Sequence, residues 1–176
     1  IYNLPNSFIT PITVSVIPAI TSQLTLCKDA EAKATEESAA RVTALISAPC
    51  AIGLLVLAKP VMGLLGGYTG SELALAGTIL TVLGANVFFY GIIQYTNVLL
   101  QSHGYAHIPV INTLVAGVLK LAVVYVLTGN PDLGIIGAPI GMTLCYLAIA
   151  IFNIVALNRT VSDRPALISN FLRSAP

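Results

Sequence analysis

The chain has 176 residues, of which 56% are hydrophobic and only 9% are charged, and its formal net charge is +1. Soluble domains carry about 25% charged residues, well above the fraction in this chain. The mean hydropathy of the chain is also high, at +0.90. This composition excludes an ordinary soluble domain. It predicts an all-α polytopic transmembrane bundle of about five spanning helices, and no nucleic-acid partner is expected.

The first predicted span covers about residues 4–26. It is the least apolar one, since it holds several Asn, Thr, Ser and Gln side chains, and three prolines interrupt it. Proline in a spanning helix leaves carbonyl groups that neighbours must satisfy, so this helix is predicted to be kinked and packed against protein. Asn6, Thr10 and Thr13 share one of its faces.

A charged stretch, CKDAEAKATEESAAR, separates the first span from the second. Its composition predicts a helical connector over residues 27–41 that lies in water. The second span is predicted over about residues 42–58, and Lys59-Pro60 is read as its stop signal.

The third predicted span, residues 73–101, contains no charged residue and is the longest apolar segment of the chain. Its polar side chains recur every three or four residues and fall within an arc of about 80° on a helix. These side chains are Asn86, Tyr90, Gln94, Asn97 and Gln101. Such a stripe indicates contact with other helices or with a water-filled cavity, and the sequence alone does not decide between these two interpretations.

The fourth and fifth spans are predicted over about residues 108–128 and 135–157, with Asn112 near the start of the fourth. The pair Gly137 and Gly141 favours close helix packing. The histidines of the SHGYAHIP turn lie four residues apart, but the flanking glycine and proline favour a loop without a third ligand. No metal site and no cofactor are therefore expected.

Basic residues are distributed asymmetrically between the two sets of loops. Six of them lie in one set, and only Lys59 lies in the other. The excess of basic residues predicts that loops 27–41, 102–107 and 158–176 are cytoplasmic.

Lys120 is the one basic residue predicted to lie deep inside a span, about 18 Å from its cytoplasmic edge. A lysine at such a depth costs about 2.5 to 3.5 kcal/mol on insertion scales, so it normally has a partner. No acidic residue lies within a predicted span. The partner is therefore expected to be a carbonyl cluster, another part of the protein or an anionic ligand, and the alternative is that the lysine snorkels to the outer surface.

Several segments together resemble a known superfamily over about residues 1–165. They are NLPNSF, VIPAI, SAPCAIGLLVLAKPVMGLL, QSHGYAHIP and GIIGAPIG. The chain resembles the multidrug, oligosaccharidyl-lipid and polysaccharide exporter superfamily, and within it the polysaccharide branch with the stage V sporulation proteins and the lipid II flippases.

The resemblance implies two six-helix lobes around a central cavity, and it implies alternating access in a bacterial cytoplasmic membrane. The chain would be the second lobe without its first helix, within a longer protein, and residues 166–176 would begin a further segment. The implied partners are a lipid-linked saccharide, membrane lipids and the N-terminal lobe. Lys120 stands where this branch tends to place a basic residue.

The function expected from these features is flipping of a lipid-linked oligosaccharide or of a cell-wall polysaccharide precursor, and not an enzymatic activity. A cationic drug antiporter of the same superfamily and a polyprenyl-lipid transferase are the alternatives. The expected substrate-binding residues are those of the polar faces together with the lysine. They are Asn6, Thr10, Thr13, Asn86, Tyr90, Gln94, Asn97, Asn112 and Lys120. Because these polar groups cannot face lipid, the chain alone is expected to show an open groove and to need its partner lobe.

Overall fold

The computed structural model describes residues 3–129 and 134–160, and within these ranges the regular secondary structure is entirely helical. The helices are α1 (Asn3–Val14), α2 (Ile17–Thr25), α3 (Asp29–Gly66), α4 (Gly70–Ser102), α5 (His107–Thr128) and α6 (Gly137–Thr160). A single 3-10 turn, Gly134–Ile136, precedes α6. Because α1 and α2 together make one span, five segments are long and apolar enough to cross a membrane. The predicted all-α class with five spans is confirmed, whereas the segment predicted at 166–176 lies outside the described residues.

The first span is interrupted where its prolines predict a kink. Helix α1 contains Pro11 and ends at Val14, and α2 begins at Ile17 with a proline in its first turn. At the break, the Ser15 hydroxyl donates to the Ile12 carbonyl at 2.7 Å. Side-chain hydroxyls therefore supply hydrogen bonds where the helical ladder is disturbed, as a spanning segment requires.

Helix α3 joins the charged connector and the second span into one helix of 38 residues. It is about 57 Å long at 1.5 Å per residue, so its charged first turns extend beyond the hydrocarbon core. One face of these turns is packed rather than in water, since Ala32 and Glu36 are buried. The predicted stop at Lys59-Pro60 is wrong. The helix continues through Pro60 and ends before Gly67, whose φ is +64°.

Helices α3 and α4 pack closely in antiparallel orientation because α4 carries a glycine every seven residues at the contact. Gly77 faces Lys59, Gly84 faces the backbone of Leu54 and Leu55, and Gly91 faces Ser47. On the α3 side, small buried residues complete the contact. They include Ala40, Ala44, Ser47, Ala48 and Ala51. Small residues allow two backbones to approach closely, and van der Waals packing then holds the pair together within the membrane.

A buried amide, Asn153 of α6, connects three helices through its side chain. Its Nδ2 donates to Asn97 Oδ1 at 2.7 Å and to Thr96 Oγ1 at 3.2 Å, both on α4. Its Oδ1 accepts from Asn112 Nδ2 of α5 at 2.9 Å. We call these four residues the amide network. Asn153 is fully buried, so the network fixes the lateral order of α4, α6 and α5.

The α3–α4 contact can be tested by adding one methyl group. The Cβ of Gly91→Ala would lie 2.7 Å from Ser47 Cβ and Oγ, so the two helices would have to separate. We expect a loss of about 1 to 3 kcal/mol of stability, as for other overpacked sites. The matched control is Gly53→Ala in α3, where no atom lies within 4 Å. Thermal unfolding of the full-length protein in mild detergent should show a lower Tm for the first variant only, and equal Tm values would contradict the close contact.

The amide network can be tested with Asn153→Leu, which fills the site but removes three interhelical hydrogen bonds. Such bonds contribute about 0.6 kcal/mol each in a membrane protein, so we expect a loss of about 2 kcal/mol. Thr143→Val on the same helix serves as the control, since that hydroxyl bonds only to the Pro139 carbonyl of its own helix. If both variants unfold at the same denaturant concentration, the network does not hold α4, α5 and α6 together.

Candidate functional site

An open concavity of about 420 Å³ lies between α1, α4 and α6. Every residue that lines it is polar and uncharged or is a tyrosine. The lining residues are Asn3, Asn6, Ser7, Thr10, Tyr90 and Tyr146. Three of the predicted site residues, Asn6, Thr10 and Tyr90, are thus brought together from two helices that are far apart in sequence.

Thr10 is the centre of the hydrogen bonds at this concavity. Its Oγ1 lies 3.0 Å from the Asn6 carbonyl, which can only accept, so the Thr10 hydrogen is donated there. The Thr10 oxygen then accepts from Tyr90 OH at 2.8 Å and from Gln94 Nε2 at 3.1 Å. Since a hydroxyl has one hydrogen and two lone pairs, Thr10 is saturated. The Tyr90 oxygen, which lines the concavity, keeps its acceptor capacity for a ligand.

The rings of Tyr90 and Tyr146 lie beside each other, with centroids 6.2 Å apart and planes tilted by 40°. Tyrosine combines a large apolar surface with a polar end. The two rings therefore give the concavity an apolar patch within an otherwise polar lining. That combination suits a ligand that has both hydroxyl groups and carbon faces.

Asn86 continues the polar line one helical turn before Tyr90. Hydrogen bonds between α1–α2 and α4 join residues that are 80 or 81 positions apart in the sequence. They link Thr10 to Tyr90 and Thr21 to Ser102. The same spacing places Asn86 level with Asn6. Both amide atoms of Asn86 and the Oδ1 of Asn6 are buried without a hydrogen-bond partner in the described part of the chain. Unlike the amide network, these groups are not consumed by internal hydrogen bonds.

The remaining polar residues of the prediction do not line the concavity. Asn97 and Asn112 belong to the amide network. Thr13 donates to the Ile9 carbonyl at 2.8 Å and lines a separate shallow groove toward α3. The stripe on α4 therefore divides: its Tyr90 and Gln94 contact α1, whereas its Asn97 contacts α6. The Asn97 part of the stripe contacts another helix, whereas the Tyr90 part lines an open concavity.

Lys120 lies on the side of α5 that faces α6. Two turns before it, Asn112 contacts Asn153, and one turn before it, the Ala116 carbonyl accepts from Cys145 Sγ at 3.2 Å. Lys120 itself is half-buried. Within residues 3–129 and 134–160, no carboxylate forms an ion pair with Lys120. Lys120 is not among the residues that line the concavity.

The one carboxylate that is deeply buried in the described part of the chain lies elsewhere. Glu36 Oε1 is 2.9 Å from His103 Nε2, so this pair joins the start of α3 to the end of α4. His103 is therefore used in helix packing. No group of three or more potential metal ligands occurs among the described residues.

Five residues of these sites were not among those predicted from the sequence: Asn3, Ser7, Thr96, Tyr146 and Asn153. The last two, Tyr146 and Asn153, bring α6 into the two sites. Both lie on α6 at helical spacing, seven residues apart. That spacing shows that they share a face, but it does not show which helix faces them. Only the packing of α6 against α4 assigns Tyr146 to the concavity and Asn153 to the amide network.

Comparison with known proteins gives one solved structure and one family. The solved structure is described as the inward-facing conformation of a multidrug resistance MATE family transporter of the MOP superfamily. The chain matches it with a TM-score of 0.68 and 19% identity over 99% of its own length, and it spans 43% of that transporter. At this identity the match shows the fold.

No curated protein sequence matches the chain significantly. The family model described as lipid II flippase MurJ matches residues 1–175, nearly the whole chain. The expected superfamily is confirmed by both comparisons, and the chain is a multi-pass membrane protein with the fold of a MOP transporter. It belongs to the lipid II flippase MurJ family.

Proposed function

We propose that this chain forms part of a flippase that moves a lipid-linked oligosaccharide or a peptidoglycan precursor across the bacterial cytoplasmic membrane by alternating access. The observation that carries the proposal is the neutral polar concavity between α1, α4 and α6, in a chain that belongs to the MurJ family. The whole protein is a transporter in this proposal and not an enzyme.

The chemistry of the concavity suits a saccharide. Sugar hydroxyls need many donors and acceptors, and Asn3, Asn6 and Tyr90 offer them without a net charge. A transporter must also release its substrate on the other side of the membrane. Neutral hydrogen bonds contribute about 0.5 to 1.5 kcal/mol each, whereas bonds to charged groups contribute about 1.5 to 3 kcal/mol. A neutral lining therefore binds a sugar through several weak contacts that can be broken together.

The other wall of the substrate path comes, in this proposal, from a second lobe. The chain corresponds to 43% of the transporter that it matches, and its concavity is open. A polar surface of this kind cannot face hydrocarbon, because each unsatisfied polar group costs several kcal/mol there. The N-terminal lobe of the same protein would close it, and loops 27–41, 102–107 and 158–176 would face the cytoplasm.

Lys120 is proposed to interact with the anionic pyrophosphate of the lipid carrier. The support for this is its position deep in α5 and the absence of an ion-pair partner in the described ranges. Because Lys120 lies between α5 and α6, away from the concavity, it would act on a different part of the substrate from the sugar.

A cationic drug antiporter is the alternative within the same fold, and the match to a MATE transporter is the observation that favours it. A cation is normally bound by carboxylates, and none lines the concavity. The buried carboxylate of Glu36 is paired with His103 at a helix junction. The full-length protein should therefore compete poorly for cationic dyes, and strong dye binding that is lost with Tyr90→Ala would favour the antiporter instead.

The sugar-binding role of the concavity predicts a defect in Tyr90→Phe. The variant keeps the ring but loses the oxygen that bonds to Thr10 and faces the ligand. We expect transport to fall about fivefold to tenfold, the effect of about 1 to 1.4 kcal/mol. The measurement is flipping of a fluorescent lipid-linked precursor by the full-length protein in proteoliposomes. Tyr125→Phe, at an exposed position of α5, is the matched control, and equal rates for both variants would count against the site.

The proposed role of Lys120 predicts that Lys120→Ala abolishes flipping, because the anionic group then has no counter-charge. Lys120→Arg should keep part of the activity, since it keeps the positive charge. Lys59→Ala is the control because Lys59 is the other lysine of the apolar region and is exposed. Normal flipping by Lys120→Ala in the same proteoliposome assay would show that Lys120 only snorkels.

A further inference from the structure

A second surface depression lies between the first turn of α5 and the last turns of α6, with a volume of about 520 Å³. We call it the α5–α6 groove. Its long wall is apolar and includes Ile108, Ile151, Phe152 and Val155, and its end holds Arg159 and Thr160. Ile151, Phe152 and Val155 are 49%, 38% and 42% exposed. These side chains therefore lie on the outer surface of the described helices.

The groove is separate from the concavity. Val155 follows Tyr146 by nine residues, which places the two on opposite sides of α6 at about 100° per residue. No residue lines both depressions. A ligand of the groove is therefore not the ligand of the proposed saccharide path.

Arg159 determines which head group the groove can accept. It lies in the last turn of α6, is exposed, and forms no ion pair within residues 3–129 and 134–160. The Thr160 hydroxyl is already donated to the Ala156 carbonyl at 2.9 Å. The start of α5 and the end of α6 carry partial charges of opposite sign, which largely offset each other. Among the described residues that line the groove, the charge at this end is therefore that of the Arg159 guanidinium.

A membrane phospholipid has a matching pattern, since its acyl chain suits the apolar wall of the groove and its phosphate suits the cationic end. A guanidinium is well suited to bind phosphate through two parallel hydrogen bonds. Of the five basic residues that lie near helix ends in the described ranges, four are at this end of the bundle and Lys59 is toward the other, which predicts that this end faces the cytoplasmic leaflet. That leaflet is the anionic one, and it attracts basic residues close to its surface.

We propose that the α5–α6 groove binds an anionic diacyl phospholipid of the cytoplasmic leaflet. One acyl chain lies along Ile108, Phe152 and Val155, and the head-group phosphate is bound by Arg159. The site is independent of the proposed flippase function, since it uses the opposite side of α6.

The test uses the full-length protein in mild detergent, titrated with phosphatidylglycerol or phosphatidylcholine of the same acyl chains and followed by native mass spectrometry. We expect tighter binding of phosphatidylglycerol. Arg159→Gln should weaken it about fivefold, the equivalent of about 1 kcal/mol for one basic residue at an anionic surface, and Arg159→Lys should weaken it less. Binding of phosphatidylcholine, whose phosphate is neutralised by its own choline, should weaken less than that of phosphatidylglycerol in both variants.

Arg41→Gln is the matched control. It removes the same charge from an exposed position of α3, where Arg41 lies 3.8 Å from Glu37. Equal loss in the two glutamine variants, or no loss with Arg159→Gln, would overturn the proposal. So would displacement of the lipid by glycerol phosphate in solution, because that result would mean a site for free phosphate.

A photoreactive amino acid at Val155 tests the occupant directly in membranes. Illumination should give a phospholipid adduct of the protein, and the yield of phosphatidylglycerol adducts should fall when Arg159→Gln is added. Cross-links to another part of the same chain only would show that protein covers the groove, and the proposal would be rejected.

Discussion

The structure depends on one constraint: inside hydrocarbon, each polar group must find its hydrogen-bond partner within the protein. Hydroxyl side chains meet the constraint locally. Thr43, Thr81 and Thr143 each donate to the carbonyl four residues earlier in their own helix. These residues therefore contribute polar groups to the spans without requiring a particular neighbour.

Amides and phenols cannot meet the constraint in the same way, because they carry more donors and acceptors at a greater distance from the backbone. Asn153, Gln94 and Tyr90 reach across to other helices. They are the polar residues that specify which helices pack together. Asn86 is the exception, since its amide is buried and reaches no hydrogen-bond partner in the described part of the chain.

The two ways in which these helices associate have different consequences. Helices α3 and α4 pack through glycine contacts along much of their length. At Gly77, Gly84 and Gly91, the atoms of α3 lie so close that they leave no space for a Cβ. Helix α1 contacts α4 through the side chains of Thr10, Tyr90 and Gln94. Close backbone packing leaves no room for a ligand, whereas side-chain bridging leaves the spaces between bridges open. The concavity accordingly lies on the α1 side of α4 and not on the α3 side.

Composition and helical periodicity were enough to predict the class, the number of spans and the kink, because these depend on local sequence and on bilayer thickness. They failed at Pro60, where the helix continues to Gly66 although proline removes one backbone donor. They also did not predict that the polar stripe on α4 contacts two different helices. An arc of about 80° is wide enough for two neighbouring helices, and the sequence does not say that α1 occupies one part and α6 the other.

The charged side chain that is buried in the described residues serves helix packing and does not line the concavity. Glu36 and His103 bond to each other at the junction of α3 with the end of α4, so their polar groups are consumed by the fold. No charged residue lines the concavity. The Tyr90 oxygen keeps its acceptor capacity there, because its hydrogen is donated to Thr10. A saturated centre fixes the direction of the groups around it. Thr10 therefore determines the hydrogen-bonding character of the concavity although its own hydroxyl has no capacity left for a ligand.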